Sequence, residues 1–241
     1  MEEKVDSVQS APLALDKRIH CTCQLLHFVY LVSVLSLIFG ITLIVWWKYE
    51  SDNTLVSIDF ISRSAWEAKP VKTTAQPLCV NPPSIVVLMD SNTDRCYSFE
   101  DCSHLIRKIQ EQDIPKHDDI TYNFLIGNDG RVYEGRGWDT PGYHSGQLND
   151  KSIGIALIGN FNYYQPSEKI LEVCQKFLEE GVRSKKLDPN YKVIGRKQVM
   201  NKENNPGEHL WKIIRDWPRW TNCVRDGCSE RLCNRANYLA H

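Results

Sequence analysis

The sequence feature that most constrains this chain is an uncharged apolar run of 23 residues, Leu25–Trp47. At about 1.5 Å of rise per residue, a helix over this run is about 34 Å long, which is enough to cross a hydrocarbon core of about 30 Å. A cleaved signal peptide has a shorter apolar region and a small-residue cleavage site, and neither is found at Trp46 and Trp47. The run is therefore predicted to be a transmembrane helix.

Flanking charges and cysteine placement predict the orientation of this helix. Lys17 and Arg18 precede it, whereas Lys48 alone follows it before Arg63, and basic residues favour the cytosolic side. Seven of the nine cysteines follow the helix, which suits an oxidising compartment. We therefore predict a single-pass type II protein of the cell membrane. Its parts are a disordered cytosolic tail (1–24), a signal anchor (25–47), a stalk (48–57), an extracellular domain (58–220) and a cysteine-containing tail (221–241).

The composition is that of a chain with one globular domain and no polyanionic partner. The chain has 241 residues, of which 42% are hydrophobic, and a net charge of -1. This apolar content is enough for a sizeable core. Because basic residues are not in excess, the composition argues against a nucleic-acid partner.

Hydrophobic periodicity predicts a mixed α/β fold. Continuous apolar runs indicate buried strands, helical spacing of apolar residues indicates amphipathic helices, and the Asn128–Gly130 turn indicates a hairpin. The order predicts a central β-sheet with helices packed on it. The predicted elements are a strand (85–89), a helix (102–114) that ends before Pro115, a hairpin (122–133), a strand (153–158), a helix (167–181), a strand (191–195) and a helix from His209 that is stopped by Pro218.

A glycine- and aromatic-rich loop at residues 135–146 carries Trp138, Tyr143 and His144. Because predicted strands hold both of its ends, we expect this loop to carry binding residues. Trp138 has a second interpretation, in which it pins the loop to the core. His144 lies between two glycines and is expected to be exposed.

Cysteine placement predicts at least one disulfide. Cys96 and Cys102 are six positions apart, and free thiols would be unusual in an extracellular domain. We predict that they form a disulfide, which contributes about 2 kcal/mol in the chain-entropy model. The spacing of the tail cysteines differs from that of zinc modules, so these cysteines are expected to pair among themselves or with Cys79 or Cys174. Cys174 is alternatively a core residue.

The segments YNFLIGNDGRVYEGRGW and SIGIALIGNFN, together with Cys96 and Cys102, closely resemble the peptidoglycan recognition proteins of animal innate immunity. The likeness covers about residues 58–220, and the single-pass anchor resembles the membrane-bound insect members. The resemblance implies the fold shared with phage-type N-acetylmuramoyl-L-alanine amidases. That fold is a mixed central β-sheet flanked by three α-helices, with a groove on one face for a glycan and its stem peptide.

The resemblance also implies where a catalytic member would hold zinc. In those enzymes two histidines and a cysteine bind the ion, and a tyrosine stands beside the metal-bound water. The three ligand positions match Met89, Arg196 and Asn204, the last with one extra residue nearby. A guanidinium has no lone pair to donate, and a thioether and an amide are poor zinc ligands. We therefore expect no cofactor and no amidase activity, although Tyr122 matches the tyrosine and Lys202 falls near an assisting position.

What remains is a binding groove. Diaminopimelate-type readers of the family carry Gly-Trp, and lysine-type readers carry Asn-Phe, at a wall where this chain has Lys116 and His117. The type of stem peptide therefore stays open. Tyr122 is alternatively a core residue. Aromatic, amide and charged side chains suit sugars and peptides, and those expected in the groove are Asp90, Tyr122, Trp138, Tyr143, His144, Asn160 and Arg196.

Three functions follow from these observations. The leading hypothesis is a non-catalytic, membrane-anchored receptor or regulator that binds bacterial peptidoglycan in innate immunity. The second is an interaction module that no longer binds peptidoglycan and modulates related peptidoglycan recognition receptors, which the short cytosolic tail favours. The least favoured is a zinc amidase.

Overall fold

The structure is a computed structural model that describes residues 13–53, 58–71, 76–200 and 204–222. The chain divides into two compact units, residues 1–57 and 58–241. The described residues of the first unit form one helix, and those of the second form a β-sheet with three α-helices. Lys202 and the predicted tail cysteines Cys223, Cys228 and Cys233 lie outside the described residues.

The first unit contains α1 (Leu13–Asn53), whose segment Leu26–Lys48 is long and apolar enough to cross a membrane. Large apolar side chains are exposed all around this segment, as in a helix that lies in lipid or against protein. The helix is longer than predicted at both ends. Residues 13–24 are therefore helical and not disordered, and the helix also continues through residues 48–53 of the predicted stalk, because a stable helical segment propagates easily into neighbouring residues.

In the described part of the second unit, six strands form one mixed sheet in the order β1-β4-β3-β5-β2-β6. β3 and β4 are antiparallel, and the other neighbouring strands are parallel. Every residue of β2 and β5 is buried, which explains their continuous apolar sequences. The strands are β1 (Asp59–Ile61), β2 (Ile85–Asp90), β3 (Phe124–Ile126), β4 (Arg131–Glu134), β5 (Ser152–Leu157) and β6 (Lys192–Gly195).

Three helices cover the two faces of the sheet. α2 (Phe99–His117) packs on the face that carries Val87 and Met89. α3 (Glu168–Arg183) and α4 (Glu208–Ile214) pack on the face that carries Val86 and Leu88. Successive residues of β2 therefore enter opposite cores, as the period of a strand requires. The prediction of a mixed sheet flanked by three helices is confirmed.

The edge strand β1 is not predicted by the sequence pattern. It has three residues, and Asp59 and Phe60 are exposed, so it lacks the alternation of a half-buried strand. It pairs in parallel with β4 at one edge of the sheet. Its position depends on a distant partner and not on its own sequence.

The prediction that the helix after Cys102 ends before Pro115 is wrong. α2 continues to His117 and contains Pro115 in its last turn, where proline removes only one helical N–H donor. The helix ends where Asp118 adopts a left-handed conformation (φ 63°) and donates its N–H to the Ile114 carbonyl. This end places Lys116 and His117 on the final helical turn.

The disulfide between Cys96 and Cys102 is present, as predicted, and both residues are buried. Cys79 is also disulfide-bonded. Cys174 is a free thiol that is buried in the core, and burial raises its pKa to about 12. It is therefore the core residue of the second interpretation.

Replacing both Cys96 and Cys102 by alanine is expected to lower the free energy of unfolding by about 2 kcal/mol, because the unfolded chain regains the entropy of a short loop. Ser98→Ala is the matched control within the same loop. It leaves the disulfide intact and removes only the hydroxyl that caps α2 by accepting the Asp101 N–H at 3.1 Å, at a cost of about 1 kcal/mol. Guanidinium unfolding of the full chain in mild detergent measures both. An unchanged midpoint for the double variant would contradict the disulfide's stabilising role.

Candidate ligand-binding site

The candidate site lies where three neighbouring parallel strands end. β5, β2 and β6 are adjacent in the sheet, so the loops after their carboxyl ends lie at the same edge. Such edges are the usual ligand sites of open sheets with parallel strands. A pocket of about 520 Å³ opens there, lined by Asp90, Ser91, Asn92, Tyr122, Asn162, Arg196, Asn204 and Asn205.

Asp90 and Asn205 form the central contact of this pocket. The Asn205 side-chain amide donates to Asp90 Oδ1 (2.6 Å) and to the Asp90 carbonyl (2.9 Å), and the Asp90 N–H donates to Asn205 Oδ1 (3.2 Å). The Phe161 N–H donates to Asp90 Oδ2 at 3.1 Å. Asp90 therefore joins the end of β2 to the loop after β5 and to the loop before α4.

Further amides connect the same loops at the rim of the pocket. The Asn204 side-chain amide donates to Asn162 Oδ1 (2.7 Å), and that of Asn160 donates to Asn92 Oδ1 (2.6 Å). Gly207 allows the close approach of these segments, because it has φ 81° and a Cβ there would lie 2.5 Å from the Phe161 carbonyl carbon. The rim is thus a connected set of asparagine side chains.

Arg196 supplies positive charge to this pocket. It is half-buried at the start of the turn that follows β6, and its charge lowers the pKa values of Asp90, Tyr122 and His144. At Asp90, burial raises the pKa more than the Arg196 charge lowers it, so the pKa of Asp90 rises to about 6. Burial also raises the pKa of Tyr122 to about 12. The Tyr122 phenol therefore stays neutral at physiological pH.

The expectation that His144 is exposed is wrong. The residue is 1% exposed, and its Nδ1 lies 2.9 Å from Ser145 Oγ. A Cβ at Gly142 or at Gly154 would lie 2.2 Å from His144 Cδ2, so these glycines make room for the ring. Burial, together with the charges of Arg196 and Arg136, lowers the pKa of His144 to about 3. The ring is neutral and is not available to a ligand at the surface.

Trp138 is partly buried and packs against the core, as in its second interpretation. Its ring packs 4.6 Å from that of Phe124 and 5.0 Å from that of Phe177, measured between centroids. Gly181 of α3 fits against the indole, because a Cβ there would lie 2.7 Å from the ring. Trp138 therefore pins the glycine-rich loop to α3 and is not among the residues that line the pocket.

Tyr143 belongs to a second surface, which we call the α2-end wall and define by Lys116, His117, Arg136 and Tyr143. Tyr143 is 52% exposed, and its ring centroid lies 4.8 Å from that of His117. The Arg136 guanidinium lies 5.1 Å from the Tyr143 ring and donates to the His117 carbonyl at 2.7 Å. The structure thus brings His117, which follows Lys116 in the last turn of α2, into ring contact with Tyr143, and none of these three residues is among those that line the pocket around Asp90.

Sequence reasoning missed several residues of the site. Asn92, Asn162 and Asn205 were not among the expected groove residues, and Asn205, beside the expected Asn204, makes the contact with Asp90. Asparagine is common in loops and turns, so its residue type alone gives little sign of a site. The cluster of asparagines directly after predicted strands was the available signal.

The donor set does not fit a zinc ion. Met89 is fully buried on the α2 face and does not line the pocket. Arg196 presents a guanidinium, and the Asn204 and Asn205 amides are hydrogen-bonded to Asn162 and Asp90. Among the described residues, no group of three or more histidine, cysteine, aspartate or glutamate side chains is placed to hold a metal.

Trp138→Ala is expected to lower the free energy of unfolding by about 3 kcal/mol, because it leaves a cavity between β3 and α3. Tyr143→Ala, at an exposed aromatic residue of the same loop, is the control and should cost less than about 0.5 kcal/mol. Denaturant unfolding of both variants measures the difference. Equal losses would contradict the assignment of Trp138 to the core.

Asp90→Asn is expected to change how stability depends on pH. The pKa of Asp90 rises on folding from its ordinary value of 3.8 to about 6, so its favourable contribution is full below pH 3.8 and is lost as pH rises through about 6. Measured from pH 4 to pH 7, the variant should gain about 2 kcal/mol relative to the parent chain, whatever constant offset the lost acceptor causes. Parallel curves for the two proteins would contradict the assignment.

Comparison with known proteins identifies the family. The family model described as N-acetylmuramoyl-L-alanine amidase matches residues 80–208. Peptidoglycan-recognition protein 2 of Holotrichia diomphalia is 36% identical over 166 residues, which are 67% of this chain and 86% of that protein.

Two solved structures agree. The first is the ectodomain complex of peptidoglycan recognition proteins LCa and LCx with tracheal cytotoxin. The matched chain of that complex is 40% identical to this chain, with a TM-score of 0.66, and the match covers 68% of this chain and 99% of the matched chain. The second is the ectodomain of the Drosophila transmembrane receptor LCa, which is 33% identical to this chain, with a TM-score of 0.64. The match covers 68% of this chain and 100% of that ectodomain. The chain described here belongs to the peptidoglycan recognition protein family.

Proposed function

We propose that this chain is a non-catalytic, membrane-anchored receptor or regulator that binds bacterial peptidoglycan in innate immunity. The observation that carries the proposal is a pocket of hydrogen-bonding side chains, at the edge where parallel strands end, whose donor set does not fit zinc. Such a pocket suits the hydroxyl, acetamido and peptide groups of a glycan with its stem peptide.

The absence of catalysis is argued from donor chemistry. An amidase of this family would need a metal-bound water, and the positions that match its ligands hold a thioether, a guanidinium and an amide. Tyr122 is a neutral phenol and His144 is buried, neutral and 1% exposed. Tyr122 is suited to forming a wall of the pocket and His144 to filling the interior, and neither is suited to activating water.

The ligand class is supported by relatives. Peptidoglycan recognition proteins LCa and LCx form a complex with tracheal cytotoxin, which is monomeric diaminopimelic acid-type peptidoglycan. On this chain we assign the stem peptide to the α2-end wall. There Lys116, His117 and Tyr143 present a cation, an imidazole and an exposed ring.

The membrane assignment rests on α1. Its segment Leu26–Lys48 is long and apolar enough to span a bilayer, and the related protein LCa is a transmembrane receptor. Lys17 and Arg18 before the segment favour a cytosolic N-terminus. The disulfide between Cys96 and Cys102 suits an extracellular location for the second unit.

A second candidate function is pairing with a related receptor without peptidoglycan binding. The observation that favours it is the ectodomain complex of LCa with LCx, in which two members of the family associate. The two functions differ in whether the purified chain alone binds peptidoglycan.

Retention on insoluble peptidoglycan tests the proposal. The full chain in detergent micelles at micromolar concentration is expected to sediment with peptidoglycan and not with cellulose, and Tyr143→Ala should reduce retention several-fold because it removes a stacking face. Tyr97→Ala is the control, since Tyr97 is also an exposed tyrosine and belongs to neither the pocket nor the α2-end wall. If the parent chain is not retained, the hypothesis of direct peptidoglycan binding is refuted, and pairing with a related receptor is favoured. Stoichiometric zinc together with release of stem peptide would overturn the non-catalytic assignment.

A further inference from the structure

We propose that the pocket around Arg196 binds a carboxylate, the free lactyl carboxylate of muramic acid, and so recognises glycan from which the stem peptide has been removed. This inference rests on the proposed function, because it names the ligand chemistry of the same pocket. It differs from binding of intact peptidoglycan, in which this carboxyl group is part of a neutral amide.

The charge in the pocket is the first argument. Of the eight described residues that line it, Arg196 is the one cation. The neighbouring Lys197 is directed elsewhere, with its ammonium 2.9 Å from Glu208 Oε1 and 4.6 Å from the Trp211 ring centroid. Among the described residues, the positive charge in the lining of this pocket is therefore that of the Arg196 guanidinium.

The second argument is how Asp90, the one anion among the described residues of the pocket lining, is held. Its Oδ1 accepts from the Asn205 amide and its Oδ2 accepts from the Phe161 N–H. Donors from two other segments thus fix the carboxylate in place. A guanidinium carries five N–H donors, so Arg196 can bind a ligand carboxylate in addition to its contacts within the protein.

The third argument is the size and polarity of the pocket. At about 520 Å³, it lies within the range of about 300 to 1,000 Å³ that is usual for small-ligand sites. Asn92, Asn162 and Asn204 offer amide donors and acceptors of the kind that match sugar hydroxyl and acetamido groups. The pocket therefore suits an acidic sugar better than an apolar ligand.

The reaction named by the family model supplies such a ligand. An N-acetylmuramoyl-L-alanine amidase breaks the amide C–N bond between the muramic acid lactyl group and L-alanine. Water adds its hydroxyl to the acyl carbon and a proton to the nitrogen, which gives a carboxylate on the sugar and an ammonium on the peptide at neutral pH. A guanidinium forms two charge-assisted hydrogen bonds with that carboxylate and gains no such pairing with the intact amide.

A matched pair of ligands tests the proposal. The probes are the disaccharide of N-acetylglucosamine and N-acetylmuramic acid with a free lactyl carboxylate, and the same disaccharide with that carboxyl converted to its methylamide. Calorimetric titration of the full chain in nanodiscs should show the acid binding about tenfold or more tightly than the amide, the difference expected for a charge-assisted bidentate pair.

Variants at position 196 separate charge from geometry. Arg196→Gln should remove the preference for the acid, and Arg196→Lys should keep part of it, since an ammonium retains the charge without the planar fork. Lys197→Gln is the matched control and should leave the preference unchanged. The near-ultraviolet circular dichroism spectrum of each variant is compared with that of the parent chain, so that a loss of binding caused by misfolding is recognised.

Equal affinity for acid and amide, or an acid preference that survives Arg196→Gln, would overturn the inference. Retention of the same preparation on insoluble peptidoglycan distinguishes failure of the carboxylate site from failure of the proposed receptor function. Retention without acid preference would leave the receptor assignment standing and refute only the carboxylate site. If neither insoluble peptidoglycan nor either disaccharide bound, the receptor assignment itself would fail.

Discussion

The site depends on the hydrogen-bonded pair of Asp90 and Asn205. The end of β2 is buried in the middle of the sheet, where an unpaired polar group costs free energy. Asn205 pairs with both the backbone and the side chain of Asp90, across a separation of 115 residues, and the Phe161 N–H takes the other carboxylate oxygen. Three loops are thereby held together by hydrogen bonds within the protein. The shape of the pocket follows from this contact.

The two cores of the sheet decide which loop residues reach the surface. Trp138 enters the core between Phe124 and Phe177, because burial of a large aromatic ring stabilises the loop against α3. That anchor leaves Tyr143 exposed next to His117, while His144 packs inward against Gly154. Adjacent residues of one loop thus have opposite roles. One forms part of a surface wall, and the next fills the interior.

The electrostatics of the pocket differ from those of a metal site. A zinc ion lowers the pKa of its water and supplies a nucleophile, whereas a guanidinium stays protonated and can only bind and orient anions or acceptors. Tyr122 and His144 are neutral at physiological pH, so Arg196 meets no second positive charge from them. This chemistry is the basis of our proposal that this edge of the sheet binds a ligand and does not hydrolyse it.

The sequence by itself determined the elements that carry strong periodicity and the residue types at the ligand positions. The apolar helix, the buried strands, the hairpin turn at Gly130 and the disulfide follow from local patterns and cysteine placement. The arginine at position 196 cannot serve as a zinc ligand, because a guanidinium has no lone pair to donate. Only the tertiary structure decided that His144 is buried, that the partly buried Trp138 packs against Phe124 and Phe177, and that Asn205 meets Asp90. The physical reason is that burial and pairing across 115 residues depend on strand order, which local sequence does not encode.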